Sequence, residues 1–292
     1  MKKKVISAIL CGAMVLGTVC PVLAADDKSE DTKTEAAGNS AEGKKIALVG
    51  KAAGNAFFEI AAKSFQETVE AEGGEVQVVY PETATADAQI KVLDNLISQD
   101  FDAICISAND VNALQAKLEE AMDEGIKVSS FDSAPNKDSR EIFVNQAGTK
   151  EVAQALMDAV LDISGGEGQF AILSATSQSA NQNAWIDAMK TIMEGDDKYS
   201  KLELVDVVYG DDDSHSCPYF YLWDMQGLGK LSAYTTISLI NGDITGAKDD
   251  KFTAGDLGDY TVTDADDGGT EVVLGAPLKF DTSNIEEMAK LY

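Results

Sequence analysis

"KIALVGKAAGNAFFEIAAKSFQETVEAEGGEVQVVY", Lys45 to Tyr80, sets the pattern of the chain. "KIALVG" is a continuous apolar run of strand length. The stretch after it has helical period, with Phe58, Ala61, Ala62, Phe65 and Val69 on one face. It stops at Gly73 and Gly74, as a helix C-terminus does. "EVQVVY" is a second strand. The unit then repeats: helix "ADAQIKVLDNLISQD", strand "DAICIS", helix "VNALQAKLEEAMDEG", strand "KVSSF", strand "EIFVN" and helix "TKEVAQALMDAVLDI". Strands without polar alternation are buried on both faces, so the fold class is α/β, with parallel sheets covered by helices.

After the turn "SGGEG" a second round starts with strand "QFAILSA", helix "NQNAWIDAMKTIME" and strand "LELVDVVY". Two doubly wound lobes follow from this. The second starts normally and then breaks the alternation. Between "LELVDVVY" and the next apolar run, within "CPYFYLW" (217–223), only the eight residues Gly210 to Cys217 intervene, with no helix. A parallel return normally needs a crossover of a dozen or more residues. A linker this short reaches at most roughly 26–29 Å. "CPYFYLW" can pair antiparallel with "LELVDVVY" as a hairpin, take a slot beside "QFAILSA", or leave the lobe poorly packed. The helix after it must return to the first lobe, which favours the slot.

The 292 residues carry 23 basic against 50 acidic side chains, a net charge of −27. Nucleic-acid binding needs a basic footprint and is excluded. An anionic membrane surface is disfavoured on the same ground. The N-terminus reads as an export signal over 1–24: basic "MKKK", apolar "VISAILCGAMVLGTV", small residues near Ala24. Gly17, Thr18 and Val19 before Cys20 make a poor lipobox, so cleavage is favoured over acylation of Cys20. An acidic linker without core-forming residues, expected to be disordered, covers 25–44. The location implied is extracytoplasmic: periplasmic, or cell-surface or secreted in a Gram-positive cell. Membrane contact would come only through a lipid anchor or a permease. Cys105 and Cys217 make no disulfide framework, and Cys105 reads as a buried small hydrophobe.

Ligands of open parallel sheets bind beyond the carboxyl ends of the strands. Six loops lie there: "KAAGN" (Lys51, Asn55), "PETATAD", "SANDVN" (Asn109, Asp110), "DSAPNKDSR" (Asp132, Arg140), "NQAG" (Asn145, Gln146) and "SATSQSANQN" (Asn181, Gln182). Amides and carboxylates of this kind suit sugar hydroxyls, each of which both donates and accepts. Phe57, Phe58, Trp185 and Trp223 offer ring faces. Loops are polar in any case, and Asn and Asp are turn residues, so the convergence of six loops on one edge weighs more than any single residue. One histidine, His215, rules out a His-based triad or a multi-His metal site. "GKAAGN" lacks the spacing of a phosphate loop. Neither an enzyme active site nor a cofactor is expected, and no metal site either.

These residues resemble a known family. "KAAGNAFFEIAAKSFQETVEAEGG", "GIKVSSFDSAPNKDSREIFVNQ", "GGEGQFAILSATSQSANQNAWI" and "DKFTAGDLGDYTV" resemble the sugar-binding proteins of bacterial ABC importers, in the branch that binds rhamnose or the furanosyl signal autoinducer-2. The resemblance covers nearly all of 44–285. It implies the type I periplasmic-binding fold, with three strands crossing between two lobes, and an ABC permease as partner. It matches Lys51, Asp110, Asp132, Asn181 and Gln182 to ligand-contacting positions, beside Asn55 from the loop reading. Asn181 stands where autoinducer binders carry Asp, which tilts the ligand toward a neutral deoxy-sugar such as rhamnose. The resemblance also implies a missing block between 213 and 214, about two βα units or about 60 residues. The lobes expected are 45–147 with 225–265, and 148–224 with 266–292. The alternative is a binding-impaired secreted remnant or interaction protein created by that deletion.

Overall fold

The computed structural model describes residues 40–174, 177–209 and 220–280. The signal segment, His215, Cys217 and the junction at 213–214 lie outside the described residues. In chain order the elements are β1 (Lys45–Val49), α1 (Ala56–Ala71), β2 (Glu75–Val79), α2 (Ala86–Ile97), β3 (Ala103–Ile106), α3 (Gln115–Asp123), β4 (Lys127–Phe131) and β5 (Ile142–Asn145). They continue with α4 (Thr149–Ser164), β6 (Gly168–Ser174), α5 (Ala180–Gly195), β7 (Leu202–Tyr209), β8 (Phe220–Leu222) and α6 (Met225–Asn241). Short strands close the described chain: β9 (Lys251–Thr253), β10 (Asp259–Thr261), β11 (Thr263–Asp264), β12 (Thr270–Val273) and β13 (Leu278–Phe280).

Seven strands form one sheet in the order β11-β12-β5-β4-β3-β1-β2. All neighbours are parallel except β11 with β12. Successive side chains of a strand point to opposite faces. Ile46 and Leu48 of β1 therefore pack with α1 and α6, while Ala47 and Val49 pack with α2 and α3. That division explains why the strand sequences are apolar throughout.

Helix α6 buries hydroxyls as well as aliphatics. Ser232, Thr235 and Thr236 donate to the carbonyls of Leu228, Leu231 and Ser232, each at 2.7 Å, the local bonding that lets Ser and Thr sit in a buried helix. Gly229 lies so close to α1 that a Cβ would collide with the Ala61 carbonyl. The return of α6 to the first lobe is thus built into its small residues. Cys105 is fully buried beside Ser129 and Thr236, and burial pushes its thiol up to about 12.

The second lobe is much thinner. β6 and β7 pair parallel with each other and, among the described residues, with no other strand. Helices α4 and α5 cover one face, around Met157, Met189, Tyr199 and Leu202. On the pair, Leu173, Val205, Val208 and Tyr209 stay 55, 51, 42 and 47 % exposed.

Three expectations need correction. β8 occupies neither the slot beside β6 nor a hairpin with β7; it pairs antiparallel with β13. Its last residue is Leu222, and Asp224 caps α6 immediately after, so the anchorage of α6 holds β8 where the chain crosses between lobes. β12, expected with 266–292 in the second lobe, extends the first sheet beside β5. Residues 40–44, expected as the end of a disordered linker, are anchored to the first lobe through Ala41. The Ala41 amide donates to Glu72 O at 2.8 Å, and its side chain is fully buried.

Candidate functional site

The ends of β1, β3 and β4 lie side by side in the sheet, so the residues just beyond them share one edge. Asp132 follows β4 and is nearly buried. Its φ of 58° is left-handed, a conformation uncommon outside glycine, which Asp adopts more readily than most residues. Such a backbone persists only where the surroundings hold it. Here they do. Ser107, beyond β3, donates its hydroxyl to Asp132 Oδ2 at 2.8 Å. Lys51, beyond β1, brings Nζ to 3.8 Å from the same oxygen, with both side chains about a tenth exposed. Asn181, in the first turn of α5 on the other lobe, donates Nδ2 to Asp132 O at 3.1 Å and to Oδ1 at 3.4 Å. Three strand ends and the opposing lobe therefore meet on one carboxylate.

The other expected residues are spent differently. Asn55 caps α1, accepting from the Phe57 amide at 3.0 Å. Asp110 Oδ1 accepts from the amides of Asn112 and Ala113, both at 2.8 Å, and so shapes its own loop. Gln182 accepts from the Ser174 hydroxyl at 2.9 Å. The structure thus joins Lys51, Asp132 and Asn181 directly. It holds Asn55, Asp110 and Gln182 in the framework around them.

Two residues were not singled out in the loop reading. Ser107 opens "SANDVN" directly after the apolar run of β3. Gln89, fully buried on α2, donates to Gly50 O at 3.2 Å and Ser107 O at 2.7 Å, and accepts from the Asn109 amide at 2.8 Å. Asn109 in turn donates to Lys51 O at 3.0 Å. Gln89 ties the loops after β1 and β3 into one floor. Its signal was a lone amide on the apolar face that carries Leu93 and Leu96.

Aromatic rings meet across the two lobes. Phe57 meets Trp223 edge-on at 5.9 Å between centroids, and Trp185 meets Trp223 at 5.6 Å. Trp223 thus touches a ring from each lobe. A carboxylate, an ammonium and amides set among indole and phenyl rings can hold a hydroxylated ring by hydrogen bonds at its rim and contact on its faces. No group of three or more His, Cys, Asp or Glu among the described residues could hold a metal. No described helix is long and apolar enough to cross a membrane.

Residues 46–219 match the model of the periplasmic binding protein domain. The chain is similar to an ABC transporter solute-binding protein from Clostridium phytofermentas, solved with bound L-rhamnose. That similarity has 43% identity and a TM-score of 0.82, covering 85% of this chain and 99% of that one. A sugar ABC transporter protein from Actinomyces odontolyticus matches at 30% identity and TM-score 0.69, over 84% of this chain and 97% of that one. LsrB from Clostridium saccharobutylicum, in complex with AI-2, shares the fold at 20% identity and TM-score 0.74, over 83% and 99% of the two chains. The chain belongs to the periplasmic binding protein family, among the sugar-binding components of ABC transporters, and is a binding protein rather than an enzyme.

Proposed function

We propose that this protein captures a neutral deoxy-sugar, rhamnose or a close relative, outside the cytoplasmic membrane and delivers it to an ABC permease. The observation that carries the reading is the Asp132 cluster, where Ser107, Lys51 and Asn181 converge from both lobes on one carboxylate. The 43% identity to a rhamnose-bound relative supports the choice of sugar. In this reading Asp132 and Asn181 bond ring hydroxyls, Lys51 donates to a ring or hydroxyl oxygen, and Phe57 and Trp223 line the faces. Asp110, Asn55 and Gln182 hold the surrounding loops and contribute at the rim.

Calorimetric titration with L-rhamnose tests this. Asp132→Asn keeps the side chain's shape and its tolerance of positive φ. It should weaken binding by roughly 1–3 kcal/mol, because hydroxyl partners lose an acceptor. Asn181→Ala should weaken binding to a similar degree without touching a buried charge. Unchanged affinity in both variants would remove the cluster from the site.

A second reading is a binding-impaired remnant. The exposed apolar side chains on β6 and β7 favour it, since a complete second lobe would cover them. Absence of sugar-dependent heat or stabilisation in a well-folded chain would decide for it; a real binder gains about 2.7 kcal/mol at ligand 100-fold above its Kd.

A further inference from the structure

A cavity of about 140 Å³ reaches Asn181, and none of Lys51, Asp110 and Asp132 lines it. Its polar lining comes from Arg140, Asn145, Asp266, Glu271 and Asn181, and Trp185 supplies a broad apolar wall. Both lobes contribute: Arg140 and Asn145 from the segments around β5, Asn181 and Trp185 from the start of α5.

Arg140 is the anomaly of this region. Its guanidinium is 2 % exposed and is held by Asp267, whose two oxygens lie 3.1 and 2.8 Å from Nη2. Nη1 donates to Pro135 O. The Nε–H is buried and has no hydrogen-bond partner among the described residues. A buried donor left unpaired is costly, and a ligand oxygen reaching it would relieve that cost. Glu271 is mostly buried and accepts from Asn145 Nδ2 at 2.9 Å.

Charge and size narrow the ligand. Asp266, Asp267 and Glu271 repel an anion, and the buried Arg140 opposes a cation. A neutral hydroxyl both accepts from Arg140 and the amides and donates to the carboxylates. A cavity of about 150 Å³ takes one benzene, so this one is the size of a single ring.

We propose that this cavity is a second, ring-sized site for a neutral polyhydroxylated molecule, sharing Asn181 with the Asp132 cluster but not Lys51, Ser107 or Asp132. Occupancy joins the two lobes, because each lobe supplies part of the wall. The inference rests on the sugar-binding reading only for its choice of probe.

The experiment is calorimetric titration of the full chain with L-rhamnose and with D-ribose, repeated on three variants. Ala184→Phe fills the cavity from α5. Glu271→Gln removes an acceptor with little change of shape and guards against misfolding of the first variant. Asp132→Asn addresses the cluster instead. The expected result is that Ala184→Phe abolishes one binding event and Glu271→Gln weakens the same event about 10-fold, while Asp132→Asn spares it. If that event is the only one, the cavity stands and the cluster reading falls. If every event survives Ala184→Phe and Glu271→Gln and is lost in Asp132→Asn, the cavity proposal is overturned and the cluster reading stands. Absence of heat from the wild-type protein with either sugar overturns both.

Discussion

Asp132 and Glu271 are two carboxylates with opposite settings. Asp132 has a hydroxyl, an ammonium and an amide around it. Glu271 is raised above the ordinary carboxylate range, chiefly by burial, with repulsion from Asp266 and Asp267 adding to it. The Asn145 amide and the Arg140 charge oppose that rise. A raised folded pKa means that the folded state binds the proton more tightly than the unfolded chain. The stability it contributes is present at and below the ordinary Glu value and is lost as pH rises through the raised one. Glu271→Gln removes that loss. The variant should be more stable than wild type at neutral pH, with a flatter pH dependence between the two values, measured by denaturant unfolding across pH. A wild-type curve without slope in that window would contradict this. The sequence made Lys51, Asp132 and Asn181 legible because each follows a strand end or opens a helix on the ligand-facing edge. For Asn55 and Asp110 it left two roles open, since a short polar side chain beside its own amides serves a cap or turn as readily as a ligand; in the fold both accept from nearby amides. Only the fold reveals which occurs.

β7 and α6 differ in how completely they are packed, and a pair of substitutions measures the difference. Leu231 on α6 is fully buried in the main core. Leu231→Ala should cost about 2–5 kcal/mol of unfolding free energy. Val208 on β7 is 42 % exposed, and Val208→Thr should shift stability by no more than about 0.5 kcal/mol. A large cost at Val208 would mean that the bare face of β6 and β7 is covered in solution. The alternation of strand and helix was readable because each element's period is local. The pairing of β8 was not. A three-residue strand has too little pattern to select its neighbour, and what places it is the anchorage of α6, a contact formed far along the chain from β6. The β11–β12 pair was hidden for a similar reason: "TDADDGGTEVV" reads as a turn between short strands, and nothing in it names the sheet that the strands join.

Among the described residues, the molecule combines a seven-stranded first sheet covered on both faces with a second lobe built on the β6–β7 pair and helices α4 and α5. Local opening tracks such differences in packing. Hydrogen exchange should therefore be slow in β1, β3, β4 and α6 and faster in β6 and β7. The same experiment with and without L-rhamnose addresses sugar capture by the two lobes together. Exchange should slow on adding sugar at 107–110 and 131–133 in the first lobe and at 180–185 in the second, the segments that meet at Asp132 and Asn181. Unchanged exchange in all three segments at saturating L-rhamnose, or protection confined to one lobe, would contradict it.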